Sequence, residues 1–232
     1  MPGALKDKTV VVIGGSNGIG AAVAELARTE DATVVSISRS GAAPEGVKGV
    51  AADVADHKAL AAALQEVGVI DHLVHTVGAR LGSPALASVD DDVLRLAFET
   101  KLFSAMHAVR LALPYLSPEA SITFTSGQVS RKYSVGSLVK GTVNAAVDAA
   151  GRHLAKELAP RRVNVVSPGV VDTSLWGEAG SAGRAATIAL VSGALPVKRV
   201  GAPAELAQAY LFAMTNGFVT GALIDVNGGG LL

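Results

Sequence analysis

The feature that most constrains this chain is a glycine-rich turn that follows a run of β-branched residues. Residues 10–20 read VVVIGGSNGIG, with glycines at Gly14, Gly18 and Gly20. Such a run predicts a buried strand that turns sharply into a helix, with no side chains where the turn is tightest. Backbone N–H groups at the helix start can then approach a phosphate, which the helix dipole also attracts. The turn therefore predicts a dinucleotide site; the simpler alternative is a plain strand–helix connection.

The composition narrows the class of protein. The chain has 232 residues, of which 50% are apolar, and this suits one α/β domain with a large core. Its formal net charge is zero, so no broad basic surface favours nucleic acid or an anionic membrane. It has no cysteine, which excludes disulfides, thiolate metal sites and a thiol nucleophile. Without a signal-like or spanning apolar segment, we expect a cytoplasmic protein that binds a small-molecule substrate.

Short β-branched runs alternate with alanine- and leucine-rich stretches, which predicts a parallel sheet with helices on both faces. The predicted strands are 9–13, 33–37, 48–52, 71–75, 121–125, 162–166 and 222–226, and the predicted helices are 18–29, 56–66, 90–113, 138–158 and 203–214. Residues 174–201 are rich in Gly, Ala and Ser and are predicted to form a loose segment. In such sheets ligands bind beyond the carboxyl ends of the strands, so the residues after each strand matter most.

Motifs at several strand ends carry a family resemblance. GGSNGIG follows the first predicted strand, TSG the fifth, and RVNVVSPGVVDT and TGALIDVNGG come later in the chain. In this order they resemble the short-chain dehydrogenase/reductase family over essentially the whole length. The resemblance implies one NAD(P)-binding Rossmann domain over 1–232, with a seven-stranded parallel sheet, and a homotetramer or homodimer. It also implies a substrate lid at 174–201, in which Trp176 either covers the substrate or anchors the packing.

The resemblance also assigns cofactor-binding residues to three parts of the chain. They are Gly14, Ser16, Asn17, Gly18, Ile19 and Gly20 at the pyrophosphate turn, Asp53, Val54 and Gly78 near the adenosine, and Pro168, Gly169, Val171 and Thr173 near the nicotinamide. Asp53 has a second interpretation as the cap of the helix that follows, although Asp56 fits that role better.

The segment after the fourth predicted strand departs from the family. Residues 75–78 read HTVG where the family has Asn-Asn-Ala-Gly, so we expect the side-chain hydrogen bonds of that motif to be lost. His75 is interpreted as a polar residue that leaves the sheet. We expect no metal site with His72, because residues three apart on a strand face opposite sides.

Cofactor preference depends on the end of the second predicted strand. A carboxylate there would bind the ribose hydroxyls of NAD, but this chain has Ser38 followed by Arg39. A guanidinium matches a phosphate in shape and charge, so NADP(H) is predicted in preference to NAD(H). The alternative is a solvated arginine at a strand end.

The expected catalytic set differs from that of the family, which uses Tyr-x-x-x-Lys on one helix face with an upstream Ser and Asn. The run at 144–160, NAAVDAAGRHLAKELAP, aligns to the family pattern without gaps. This register places Asn144 at the lysine position and Lys140 at the tyrosine position. Ser126, 14 residues before Lys140, keeps the serine, and Lys101 stands at the asparagine position. The predicted catalytic residues are therefore Ser126, Lys140, Asn144 and Lys101.

Several alternatives stay open at this point. Making Tyr133 catalytic would put Ser137 at the lysine position and break the alignment. Lys140 can donate a proton as an ammonium, and both a nearby Lys101, by repulsion, and burial would lower its pKa. The two lysines can instead clamp an anion, form a Schiff base or lie solvated beside an inactive site. The predicted function is reduction of a small carbonyl or imine by NADPH; the alternatives are an inert NADP(H)-binding sensor or scaffold, and a non-redox enzyme.

Overall fold

Seven parallel strands form one sheet, in the order β3-β2-β1-β4-β5-β6-β7, in the computed structural model, which describes residues 3–78, 81–82 and 84–232. The strands are β1 (Thr9–Ile13), β2 (Thr33–Ser38), β3 (Lys48–Ala51), β4 (Ile70–His75), β5 (Leu116–Thr125), β6 (Arg162–Pro168) and β7 (Leu223–Val226). The central strands are continuous apolar runs because both faces of the sheet are covered. The predicted fold class, a single-domain Rossmann fold, is confirmed.

Helices pack on both faces of this sheet. They are α1 (Gly18–Thr29), α2 (His57–Val67), α3 (Asp91–Phe98), α4 (Ser104–Ala112), α5 (Leu138–Glu157), α6 (Ala182–Ala194) and α7 (Pro203–Thr215). One core cluster joins the sheet to side chains such as Leu60 of α2 and Val147 of α5. The other joins it to Val23 of α1 and Tyr210 of α7. The two clusters fix the helices, and with them the loops that leave the carboxyl edge of the sheet.

The strand order reverses between β1 and β4, because the chain passes from β3 at one edge back to the centre. β1 pairs with β2 on one side and with β4 on the other, all in parallel. The loops that follow β1 and β4 therefore leave the sheet side by side and in opposite directions. Parallel sheets of this kind bind ligands in the crevice at such a reversal.

Two predictions about helices are corrected. Residues 174–201 are not a loose segment throughout, because α6 occupies Ala182–Ala194, with the Ser181 hydroxyl accepting a hydrogen bond from Arg184 N. The predicted helix 90–113 is helical over most of its length but contains a π-helical turn, Glu99–Phe103, between α3 and α4. A π turn holds an extra residue and commonly marks a functional position.

Candidate cofactor and reaction site

The turn after β1 has no room for side chains. Gly14 and Gly18 have φ of 91° and 55°, in the left-handed region that favours glycine. A Cβ on Gly20 would lie 2.2 Å from the Gly14 carbonyl oxygen. The chain thus packs backbone against backbone at the point where α1 begins.

The start of α1 is suited to an anion. Asn17 is the N-cap residue, yet its side chain makes no capping hydrogen bond, so no side chain satisfies the N–H groups of the first turn. Ser16 and Ile19 are half-buried beside it. Thr173 lies against this turn, since a Cβ on Gly18 would be 3.4 Å from its methyl carbon. A glycine-rich turn with uncapped N–H groups at a helix N-terminus fits the pyrophosphate of a dinucleotide.

Thr76 ties β4 to this turn, which corrects one expectation. Its hydroxyl lies 3.2 Å from the carbonyl oxygens of both Ile13 and Gly14, to which it donates. The expected loss of side-chain hydrogen bonds from the segment 75–78 is therefore wrong for Thr76. The contact fixes the glycine turn against the neighbouring strand at the point of reversal.

The residues assigned to the adenosine side lie on a more open surface. Asp53 is exposed and accepts a hydrogen bond from Ala55 N at 3.0 Å, while Val54 packs against the core. Asp56 caps α2 by accepting from two backbone N–H groups, as predicted. Gly78 is also exposed, and a Cβ there would meet no atom within 4 Å. Nothing in the local packing requires glycine at that position.

The end of β2 presents a cation to solvent. Arg39 is exposed, and within the described part of the chain it makes no hydrogen bond or ion pair. Ser38 is half-buried, and its hydroxyl is 3.4 Å from the carbonyl oxygen of Ala42. The guanidinium of Arg39 is therefore available to an anionic ligand.

The segment after β6 runs back towards the glycine turn. Pro168 ends β6, and Gly169 is held close to Asn227, whose Cα would be 2.8 Å from a Cβ at this glycine. Val171 is buried and forms a parallel bridge with Gly201. Trp176 donates its indole N–H to the Val171 carbonyl at 2.9 Å, which favours a packing role for the tryptophan.

The predicted catalytic residues gather where β5, α5 and the π turn meet. Lys101 donates from Nζ to the carbonyl oxygen of Ser126 at 2.9 Å. Asn144 donates from Nδ2 to the carbonyl oxygen of Lys140 at 2.7 Å, one turn earlier on α5. A Cβ on Gly127 would lie 3.4 Å from the same Nδ2, so Asn144 lies against the loop that begins at Ser126. The structure thus brings Ser126, Asn144 and Lys101 together, and Lys140 joins them through its backbone carbonyl.

Burial sets the electrostatics of the two lysines. It lowers the pKa of Lys101 to about 8, against the attraction of the Asp148 carboxylate, which raises it. Burial also lowers the pKa of Lys140, which is partly covered by the surrounding structure. Of the two causes expected to lower the pKa of Lys140, burial is confirmed, whereas repulsion from Lys101 is not among the causes.

His75 is a buried residue within β4, paired with both neighbouring strands, so the interpretation of a polar residue that leaves the sheet is wrong. Its Nε2 is 3.0 Å from the Ser104 hydroxyl, and that hydroxyl donates to the Thr100 carbonyl. Since the hydroxyl has one proton, Nε2 of His75 is the donor in the first bond. Burial, followed by the charge of Lys101, lowers the pKa of His75 to about 3, so the ring is neutral. It fixes β4 to the helix that carries Lys101.

Buried oxygens without a partner surround this cluster. Five of the seven such side-chain atoms in the described residues lie between positions 126 and 148: Ser126 Oγ, Gln128 Oε1, Ser130 Oγ, Asn144 Oδ1 and Asp148 Oδ1. Buried polar atoms normally have a partner, so this concentration indicates a site that accepts polar groups from a ligand. Tyr133 lies in the loop before α5 and is 87% exposed, rather than buried in this cluster.

Comparison with known proteins identifies the family. The family profile described as enoyl-(acyl carrier protein) reductase matches residues 14–230. The chain belongs to the short-chain dehydrogenase/reductase family. It is similar to the short-chain dehydrogenase/reductase ATR9 of Stachybotrys chlorohalonatus, with 31% identity over 98% of each chain. It is also similar to carbonyl reductase family member 4 of Danio rerio, with 31% identity over 96% of this chain and 97% of that protein.

A solved structure of a small-chain dehydrogenase in complex with NADPH matches with a TM-score of 0.88 and 37% identity, over 97% of this chain and 98% of that chain. As a short-chain dehydrogenase/reductase, this protein is an oxidoreductase. Among the described residues, no helix has the length and apolar character needed to cross a bilayer. Nor does this part of the chain contain a group of three potential metal-ligating side chains.

Three residues of this short-chain dehydrogenase/reductase were missed by the sequence analysis. Asp148 follows Asn144 by four residues, a spacing that places both on one helix face, and this was the available signal. Thr76 and Arg131 act through contacts with residues distant in sequence, for which no local pattern exists.

Proposed function

We propose that this protein is an NADP(H)-dependent reductase of a small carbonyl or imine, with Lys140 as the proton donor. The observation that carries the proposal is the cluster itself: Lys101 contacts Ser126, and Asn144 contacts the Lys140 backbone carbonyl and the loop after Ser126. This cluster lies at the same edge of the sheet as the glycine turn. It therefore combines proton-transfer groups with a dinucleotide cradle.

A nicotinamide dinucleotide held at the glycine turn by Gly14, Gly18 and Gly20 would supply hydride chemistry when bound. The chain then has to deliver a proton to the substrate oxygen or nitrogen. Lys140 can do so as an ammonium, and its lowered pKa makes it a stronger acid than an ordinary lysine. Among the described residues the buried Ser126 hydroxyl has no hydrogen-bond partner, and we assign it the task of holding the substrate heteroatom.

Lys101 and Asn144 support this transfer in different ways. The charge of Lys101 lies beneath Ser126 and stabilises negative charge that develops on the substrate oxygen. Asn144 is neutral, and its Oδ1 is buried without a partner, so it is suited to accept a hydrogen bond from a ribose hydroxyl. Lys101 thus supplies the charge, and Asn144 orients the cofactor.

Preference for NADP(H) is supported by Arg39. The guanidinium is exposed at the end of β2, where a carboxylate would instead repel a 2′-phosphate. The 37% identical dehydrogenase that was solved with NADPH is consistent with this preference. The matching residues Gly14, Gly18, Gly20, Asp53, Gly78, Pro168, Gly169, Val171 and Thr173 complete the proposed cofactor site.

The proposed substrate is small, and residues 174–201 are proposed to close over it. The similarity to a carbonyl reductase supports a carbonyl substrate. Gly177 and Gly180 have φ of 126° and 77°, so this segment contains two positions at which glycine permits unusual backbone angles. We also propose that the protein assembles as a homotetramer or homodimer and acts in the cytoplasm, as composition and family resemblance suggest.

The test is a pair of measurements on the purified protein. NADPH and NADH are titrated separately, and nicotinamide oxidation is then followed with a panel of small aldehydes, ketones and cyclic imines. We expect tighter binding of NADPH and oxidation with at least one member of the panel. Binding without turnover would favour an inert sensor or scaffold. Consumption of substrate with no change in nicotinamide absorbance would favour a non-redox enzyme.

A further inference from the structure

The loop that carries Ser126 is attached to the rest of the protein at both ends. We call residues 126–132 the serine loop; it connects β5 to the approach to α5. At its start, Ser126 N donates to the Val166 carbonyl at 2.9 Å, and Lys101 donates to the Ser126 carbonyl at the same distance. The beginning of the loop is thereby fixed to β6 and to the π turn.

Arg131 fixes the other end of the serine loop. Its guanidinium bonds both carboxylate oxygens of Asp225 on β7, one of them at 2.9 Å, and also lies 3.2 Å from the Ser167 hydroxyl on β6. A planar guanidinium that engages a carboxylate through two parallel bonds gives directional as well as electrostatic restraint. One side chain thus joins the serine loop to the ends of two strands.

The C-terminal segment packs against the same loop. Lys132 donates from Nζ to the Gly230 carbonyl at 2.9 Å. A Cβ on Gly230 would lie 2.2 Å from Gln128 Oε1, so the segment and the loop are in close contact. Within the loop, the Ser130 and Arg131 N–H groups bond the Gly127 and Gln128 carbonyls at 3.0 Å. The rate at which these amide hydrogens exchange with solvent therefore measures how well ordered the loop is.

We propose that Arg131 is a positioning residue, which holds the serine loop in register through Asp225 so that Ser126 faces Lys140. This role in the reaction rests on the proposed function. The pair is about one-third exposed on each side, with side-chain exposures of 37% and 35%. Ion pairs that exposed contribute little to global stability, so removing this one leaves the protein folded. Its effect should instead be local to the loop.

The experiment uses the full chain and four variants. Arg131→Met removes the guanidinium, Arg131→Lys keeps the charge without the two-pronged geometry, and Asp225→Asn removes the partner's charge. Lys48→Met is the matched control, because it breaks the exposed Lys48–Glu66 ion pair, 2.7 Å long, at β3 and α2. Each variant is examined by hydrogen–deuterium exchange of the peptides that cover the serine loop, by its melting temperature and by NADPH titration.

We expect faster exchange in the serine loop for Arg131→Met and Asp225→Asn, an intermediate rate for Arg131→Lys and no change for Lys48→Met. With an active substrate, kcat falls about tenfold in Arg131→Met while the NADPH dissociation constant changes little, because misplaced groups lose rate more than binding. Unchanged exchange in the loop, or a loss confined to global stability, overturns the proposal. If exchange rises in the variants but no tested substrate makes the wild-type protein oxidise NADPH, Arg131 still orders the serine loop, and it is the proposed reaction that fails.

Discussion

The two halves of the candidate site are built on different principles. On the cofactor side, the turn after β1 is determined by the absence of side chains, with Gly20 backed directly by the Gly14 carbonyl and Thr76 bonding the turn to β4. On the reaction side, polar side chains crowd together and several of their oxygens have no partner. The first half is shaped by close backbone packing together with the hydrogen bonds of Thr76. The second is shaped by charge and hydrogen bonding, so its chemistry can change while the cradle stays intact.

The largest expected effect is a loss of turnover without a loss of binding. Lys140→Met removes the proposed proton donor, and we expect turnover to fall by about 100-fold or more. NADPH affinity should stay close to that of the wild type, since the cradle is untouched. Lys156→Met, an exposed lysine near the end of the same helix, is the control and should retain activity. Full activity in Lys140→Met would mean that another group supplies the proton.

A substitution in the glycine turn after β1 is expected to weaken cofactor binding and stability instead. Gly20→Ala places a methyl group 2.2 Å from the Gly14 carbonyl, where only a backbone shift can relieve the clash. We expect a loss of about 1–3 kcal/mol in the free energy of unfolding, together with weaker NADPH binding. Chemical denaturation and a binding titration measure the two effects. Gly217→Ala is the matched control, because a Cβ there meets no atom within 4 Å.

A smaller effect should separate the two cofactors. Arg39→Ala removes an exposed cation, and we expect NADPH affinity to fall by about tenfold or more with little change for NADH. Arg39→Lys keeps the charge but not the forked geometry. Its NADPH affinity should lie between those of the wild type and Arg39→Ala. Fluorescence titration with each cofactor at fixed salt gives the ratio of the dissociation constants for NADPH and NADH. Equal losses for NADPH and NADH would show that Arg39 does not recognise the 2′-phosphate.

The smallest effect is a shift in a pH profile. Lys101 is cationic below its pKa of about 8 and loses its charge as the pH rises through that value. Turnover should therefore decline on the alkaline side of about pH 8. Asp148 raises this pKa, so Asp148→Asn should move the decline to lower pH, and Lys101→Met should remove it. A decline that keeps its position in both variants would assign it to another group.

The fold was predictable because its signals are local and repeated. The strand β1 reads TVVVI and the turn beside it reads GGSNGIG, so their identity does not depend on distant residues. The helix α6 was missed because its sequence, AGRAATIALVSGA, is rich in small residues that resemble a loop. Its apolar residues form no clear stripe, and none of its residues is buried. The local composition therefore predicted a loose segment where the chain in fact forms a helix.

Within the candidate site, the contact between Asn144 and Lys140 could be predicted from the sequence, whereas the contact of Lys101 could not. The spacing within α5 indicated that Lys140 and Asn144 share a helix face, and their contact follows from that spacing. The bond from Lys101 to Ser126 joins residues 25 apart in the sequence, and it depends on how the π turn presents the lysine. Burial decided the pKa values of both lysines, and burial is a property of the folded chain rather than of the motif.

The π turn has a consequence for divergence among relatives. An α-helix advances about 100° per residue, so one additional residue at Glu99–Phe103 rotates everything on one side of it relative to the other. Deleting a single residue here would place a different side chain near the Ser126 carbonyl and move the Lys101 amine away from it. Insertions and deletions at this position can therefore exchange the side chain that contacts the Ser126 carbonyl. Sequence alignments that ignore such gaps would then compare side chains that occupy different places.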